Sequence, residues 1–134
     1  MYKLIFLYCS CLLVILFTGC ANVSVGKNFN NLDTVTANSY KPVAHINAYN
    51  YGYYLFGEFP IITGSAEEVG GTSFFYDQAT IPKMTGLVTA ESKKLKATNT
   101  VNLTSSRSST GGFSLWIIWF KEVQVSGDAI APKT

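Results

Sequence analysis

The sequence predicts a small α+β domain: an antiparallel sheet of three to four strands with one helix packed on a face, in the order β-α-β-β. A signal peptide and a flexible tether precede it. Three observations support this prediction: a helical period over residues 77–97, strand-like apolar runs on both sides of it, and a separate apolar segment in the first twenty residues. The 134 residues suffice for one ordinary domain.

The composition excludes several classes of protein. Hydrophobic residues make up 48% of the chain and charged residues 13%, which is too little charge for a disordered acidic or basic protein. The net charge of +2 is too small to indicate a nucleic-acid-binding surface. A single His excludes a multi-His metal site within one chain. We expect no metal, no cofactor and no nucleic-acid partner.

Residues 1–19 have the pattern of a secretory signal peptide. Lys3 precedes an apolar run from Leu4 to Phe17 that only Ser10 interrupts, and small residues follow it. The run falls short of the roughly 20 apolar residues that cross a bilayer. An uncleaved anchor is the alternative.

The end of this segment, Phe17-Thr18-Gly19-Cys20, resembles the lipobox of bacterial lipoproteins. In that family the Cys thiol takes a diacylglyceryl group and the chain is cut just before it, here between Gly19 and Cys20. Phe17 stands where Leu is usual. The resemblance implies a membrane-anchored chain that begins at Cys20. Ala21 after the Cys, rather than Asp, is compatible with an outer membrane and the periplasm; ordinary secretion after a cut behind Ala21 is the alternative.

Residues 20–41 are predicted as the lipidated Cys and a flexible tether. Asn, Ser, Thr and Gly dominate there, and the apolar residues show no regular period. An edge strand over residues 31–36 is the alternative for part of this segment. The single folded domain is predicted to span residues 42–134.

The domain is predicted to begin with one long bent strand, or two strands, over residues 42–64. β-branched and aromatic residues are dense there, two glycines interrupt the run, and Pro60 cannot donate to a ladder. Residues 64–71 read as a turn-rich acidic loop, and residues 73–76 as a short strand end.

The helix is predicted over residues 77–97. Its apolar side chains recur at helical spacing: Ile81, Met84, Val88 and Leu95. Pro82 fits the first turn, where its missing N–H costs nothing. Lys93, Lys94 and Lys96 complement the dipole at the other end.

Two strands are predicted to follow the helix. Residues 98–105 alternate as a half-buried strand, and residues 113–125 form the most strongly apolar strand. Residues 107–112 are Ser- and Gly-rich and are predicted as a flexible hairpin loop. Residues 126–128 end the last strand, and residues 129–134 form a tail.

Aromatic residues supply the candidate interaction surface: Tyr49, Tyr51, Tyr53, Tyr54, Trp116 and Trp119. Segment 49–56 is interpreted either as a ligand-facing platform or as core and interface packing. No catalytic residue is assigned. His45 is the only His, and the carboxylates form no recognisable acid–base motif.

The passages 86–106 and 119–130 resemble small bacterial lipoproteins of the TRL-like (tRNA-associated locus) kind. The matching positions are Glu91, Lys94, Leu95, Gly127 and Ala129. Lys96 replaces the Gly that is usual at the helix end of that family. The resemblance implies an envelope lipoprotein without an assigned activity, and it carries no catalytic residue over.

The function expected from the sequence is that of a non-enzymatic cell-envelope lipoprotein, anchored by acylated Cys20, with a structural or protein-interaction role. Its expected partners are the membrane, through the lipid, and a protein partner or a second copy. A module that binds a cell-wall or small-molecule ligand through segment 49–56 is one alternative. A secreted protein or an enzyme of unassigned activity is another.

Overall fold

A computed structural model describes residues 20–27, 39–113 and 116–133. The predicted signal peptide at 1–19 and residues 28–38 of the predicted tether lie outside the described residues. The elements are β1 (Ala21–Gly26), β2 (Tyr40–Leu55), β3 (Phe59–Gly64), β4 (Thr72–Phe74), α1 (Ile81–Lys94), β5 (Asn99–Phe113) and β6 (Ile118–Pro132). No helix among these described residues has the length and apolar character needed to cross a membrane.

The strands form one six-stranded antiparallel sheet. Five of them follow the order β4-β3-β2-β6-β5, and the sixth, β1, pairs with β2. β6 pairs with one edge of β2 along its whole length. β1 and β3 share the other edge, since Ala21 lies opposite Asn50 and Thr63 lies opposite Gly52. β1 therefore continues the line of β3.

The prediction of a sheet of three to four strands in the order β-α-β-β is wrong, because four strands precede the helix and six form the sheet. β1 lies in the segment predicted as a tether. Its apolar residues alternate with polar ones as in a strand, but the polar composition of the surrounding segment obscures this period. Ala21 is buried against the sheet, and β1 forms a hydrogen-bonded ladder with β2. These contacts offset the conformational entropy that the segment loses when it becomes ordered.

The predicted flexible loop at 107–112 is also wrong, because these residues belong to β5 and pair with β6. β6 likewise continues through residues 126–132, beyond its predicted end. β5 is an edge strand, and residues 102–110 are exposed. A strand in that position needs few apolar residues, so its Ser- and Gly-rich composition resembles that of a loop.

α1 covers one face of the sheet and leaves the other uncovered. Met84, Leu87 and Val88 pack against Ile46 of β2 and Val125 of β6. The opposite side of the sheet is called the open face. Its residues are His45, Asn47, Tyr49, Tyr51 and Tyr53 of β2 and Phe120, Glu122, Gln124, Ser126 and Asp128 of β6.

The helix lies within the predicted segment 77–97, and residues next to its two ends determine where it begins and ends. Thr80 precedes it in an extended conformation, and Pro82 occupies the first turn. At the other end Lys96 N–H donates to Lys93 O and Ala97 N–H donates to Ser92 O, which is the Schellman pattern. Lys96 has φ +59°, in the left-handed region that favours Gly.

Candidate binding surfaces

The structure divides the aromatic residues predicted as an interaction surface between the two faces of the sheet. The open face carries three of them, Tyr49, Tyr51 and Tyr53. Tyr54 is fully buried on the helix side. Trp116 and Trp119 lie at the β5–β6 hairpin, with ring centroids 6.0 Å apart. The six side chains therefore do not form one surface.

Phe120 joins the tyrosines of the open face into an aromatic cluster. Its ring centroid is 5.6 Å from that of Tyr51 and 5.6 Å from that of Tyr53, in tilted and edge-on arrangements. Partial burial raises the pKa of the Tyr51 phenol above its usual value, and the nearby Cys20 thiol and neighbouring tyrosines add to the rise. This cluster thus lies beside Cys20.

Farther along the open face, polar side chains bond to one another across the strands. His45 Nδ1 donates to Asp128 Oδ1 at 2.7 Å, and Asn102 Nδ2 donates to Asp128 Oδ2 at 2.9 Å. Partial burial opposes ionisation of Asp128, but these hydrogen bonds and the imidazole outweigh it and hold the carboxyl pKa below its usual value. Gln124 Nε2 donates to Asn47 Oδ1 at 3.0 Å in the same way.

Cys20 stands at the point where β1 meets the end of β3. Its side chain is partly exposed, whereas the next residue, Ala21, is fully buried. Ala21 O accepts a hydrogen bond from Gly70 N at 3.0 Å. Gly64 packs directly on the Cys20–Ala21 peptide, where a Cβ would overlap the backbone. The chain is therefore held in the sheet from the residue after Cys20.

A buried amide holds the connection between β4 and α1 to the sheet. Asn50 Nδ2 donates to Gly64 O at 2.9 Å and to Gln78 O at 3.1 Å. Tyr54 Oη donates to Asp77 Oδ1 at 2.6 Å. Burial and the adjacent Asp77 carboxylate raise the pKa of the Tyr54 phenol far above its usual value, so Tyr54 stays a hydrogen-bond donor.

Sequence reasoning missed an open groove of about 450 Å³ on the helix side, at the end of the sheet that α1 leaves uncovered. We call it the tip groove. Its lining includes Phe56, Glu58, Arg107, Ser109, Trp119 and Lys121. A Cβ on Gly111 would lie 2.8 Å from the Trp119 ring, so this position needs a glycine for the indole to lie flat on β5.

Two cations face the tip groove. Lys121 Nζ lies 4.3 Å from the centroid of the Tyr54 ring, within cation–π distance. Arg107 lies two positions from Ser109, which is opposite Lys121. Within the described ranges, neither cation is within ion-pair distance of a carboxylate. Residues 107–111 are all polar or glycine and show no period-two pattern, so no sequence signal indicated this groove.

The described residues hold no cluster of three or more His, Cys, Asp or Glu side chains suited to a metal ion. Comparison of the chain with protein-family models, with curated proteins and with solved structures gave no match. The resemblance to TRL-like lipoproteins stays a prediction.

Proposed function

We propose that this protein is a non-enzymatic lipoprotein of the bacterial cell envelope, attached to a membrane through lipid on Cys20. The observation that carries the proposal is the position of Cys20. The lipobox-like Phe17–Cys20 sequence ends one residue before the buried first residue of β1. Cleavage before Cys20 would therefore remove the apolar segment and leave the described sheet whole.

The start of β1 changes the form of this anchor. With Ala21 already in the sheet, no long spacer separates Cys20 from the described domain. A lipid on Cys20 would emerge beside Tyr51 and Gly64 and hold the domain close to the membrane surface. A role in binding at or near that surface follows, because the aromatic cluster of the open face lies next to the anchor.

A ligand-binding module is the second candidate. The specific observation in its favour is the row of Tyr49, Tyr51 and Tyr53 with Phe120 on the open face, which offers partly exposed rings beside hydrogen-bonding side chains. Sugars bind such surfaces by stacking and hydrogen bonding. Titration with soluble cell-wall glycans should then change tyrosine emission, and Tyr51→Ser should abolish the change. A flat titration removes this candidate.

Mass spectrometry of the protein extracted from membranes tests the anchor. We expect a chain that begins at Cys20 and carries a diacylglyceryl group, with or without a further acyl group. Cys20→Ser should lose this mass and accumulate as the uncut chain, whereas Cys9→Ser and Cys11→Ser should be processed normally. An intact chain from Met1, or one beginning at Asn22, contradicts the proposal.

A further inference from the structure

Two hairpin turns lie side by side at one end of the sheet and carry exposed apolar side chains. Phe56 N in the β2–β3 turn donates to Ile117 O in the β5–β6 turn at 2.7 Å. We call this surface the aromatic end, formed by Leu55, Phe56, Phe59, Trp116 and Ile117. Phe56, Phe59 and Trp116 are 61%, 63% and 67% exposed. A protein in water gains nothing from displaying them together.

Among the described residues, exposed aromatic side chains lie at the aromatic end or in the neighbouring segment 74–76. They are Phe56, Phe59, Phe74, Phe75, Tyr76 and Trp116. Phe74 is the last residue of β4, which pairs with β3, and Phe75 and Tyr76 follow it. Tyrosines elsewhere in the sheet are at least partly covered. The clustering of exposed aromatic side chains in one part of the described structure indicates an apolar or interfacial partner there.

The backbone at the aromatic end indicates that these large side chains are not incidental. Phe56 has φ +52° and Trp116 has φ +67°, and Phe75 nearby has φ +57°. Gly and Asn adopt this left-handed conformation at lower cost, and bulky residues are uncommon there. Strained positions of this kind persist where the side chain has a use.

The cations of the tip groove lie directly behind the aromatic end. Arg107 and Lys121 line the same groove as Phe56 and Trp119, and Glu58 is the carboxylate on its wall. Neither cation is ion-paired within the described residues. Aromatic side chains ahead of unpaired cations match the apolar and anionic layers of a lipid surface, in that order.

We propose that the aromatic end enters the interfacial layer of an anionic bilayer, with Arg107 and Lys121 meeting lipid phosphates. The inference rests on the proposed function for the attachment that brings the domain to a membrane. Ala21 lies opposite Asn50, so Cys20 is level with Tyr51; at about 3.3 Å per residue it is about 17 Å along the strand from Phe56 but about 36 Å from Tyr40 at the other end. The anchor thus lies in the half of the sheet that carries the aromatic end.

The protein's own fluorescence tests this inference, because Trp116 and Trp119 are its only two tryptophans and both lie at this end. The purified mature chain is mixed with, or reconstituted into, vesicles of phosphatidylethanolamine and phosphatidylglycerol. A second set contains phosphatidylcholine brominated in the upper acyl chain. We expect a blue-shifted emission that the bromines quench. Emission equal in both sets overturns the inference and leaves the aromatic end to a protein partner.

Variants separate the apolar from the charged contribution. Phe56→Ser should lower the ratio of membrane-inserted, quenchable protein to non-inserted protein about tenfold, whereas Val25→Ser and Leu103→Ser, exposed apolar positions elsewhere, should not. Arg107→Ala with Lys121→Ala should lower it about fivefold for each cation on phosphatidylglycerol vesicles. On phosphatidylcholine vesicles the pair should have no effect.

The matched charge control is Lys41→Ala with Lys93→Ala, two exposed cations in the other half of the molecule. An equal loss in this control contradicts a specific role for the tip groove. Mass spectrometry of the same preparation shows whether Cys20 carries lipid. If Cys20 carries lipid but brominated lipid does not quench the tryptophans, this inference alone is overturned. If the tryptophans are quenched but Cys20 carries no lipid, the proposed anchor alone is overturned.

Discussion

The imidazole of His45 on β2 and the carboxylate of Asp128 on β6 face each other across the ladder, with Nδ1 and Oδ1 2.7 Å apart. Asn102 adds β5 to the contact through its hydrogen bond to Asp128. Asn102 lies where the β5–β6 register shifts and has φ +54°. One carboxylate thus joins three strands at the open face.

This contact predicts a pH-dependent loss of stability in Asp128→Asn. The folded-state pKa of Asp128 lies below its usual value, so its contribution is present above about pH 4 and is lost as pH falls through the folded pKa. The pair is partly exposed, with side-chain exposures of 50% and 26%, so the cost should stay below about 1 kcal/mol.

Urea unfolding of both chains between pH 3 and pH 7 measures the Asp128 contribution, with the difference expected to shrink at low pH. Glu122→Gln is the control for charge removal on the same face. A difference that grows as pH falls contradicts the assignment.

His45→Ala should keep the fold and any cellular phenotype, and loss of function in a folded His45→Ala protein would contradict a structural role.

Tyr54→Phe should lower the free energy of unfolding by about 2 kcal/mol at neutral pH, because it removes a buried hydrogen bond to the Asp77 carboxylate. The folded-state pKa of Tyr54 is raised, so this contribution is complete below about pH 10 and declines at higher pH, where the unfolded phenol ionises. Denaturant titrations at pH 7 and pH 11 check both statements.

Tyr49→Phe is the matched control, since its hydroxyl accepts an exposed hydrogen bond from Asn22. Its cost should be below about 0.5 kcal/mol. If the two variants lost equal stability, burial of the Tyr54 hydroxyl would not be the cause.

Gly64→Ala should destabilise the domain by about 3 kcal/mol, because its Cβ would overlap the Cys20–Ala21 backbone and displace β1. Amide hydrogen exchange should show the loss first at Ala21–Gly26. Gly86→Ala is the control, because no atom lies within 4 Å of the added carbon and α1 should gain about 1 kcal/mol. An unchanged melting temperature in Gly64→Ala would contradict the packing of β1 against β3.

Lys96→Gly should stabilise the protein by about 1 kcal/mol, because glycine adopts the left-handed conformation of this helix end without the cost of a side chain. Thermal unfolding followed by circular dichroism measures the gain. Lys93→Gly, one turn earlier within α1, should instead cost about 1 kcal/mol. Equal effects of the two substitutions would contradict the Schellman geometry.

Local patterns in the sequence predicted the helix and the central strands. The spacing of Met84 and Val88 needs no distant partner to be recognised. The apolar run predicted as one strand over residues 113–125 instead contains the β5–β6 turn at Trp116 and Ile117, and β6 begins only at Ile118. The number of strands could not be predicted this way. β1 and β5 are polar because they lie on edges or uncovered parts of the sheet, so their composition is that of a loop.

The candidate sites also differ in whether the sequence alone could predict them. Cys20 is a candidate lipidation site on the basis of its neighbours in the chain alone. The tip groove requires the register that places Ser109 opposite Lys121, and the aromatic end requires the hydrogen bond between Phe56 and Ile117, 61 positions apart. Nothing in either segment alone indicates these pairs.

By itself, the sequence determined the separate apolar N-terminus with its Cys20 motif, the single helix and the richness in aromatic residues. The tertiary structure alone decided which face each aromatic side chain takes and which turns meet. Tyr53 and Tyr54 are neighbours in the chain, yet they lie on opposite sides of the sheet, and only Tyr54 is fully buried. The physical reason is that strand pairing depends on long-range register and on which face α1 covers.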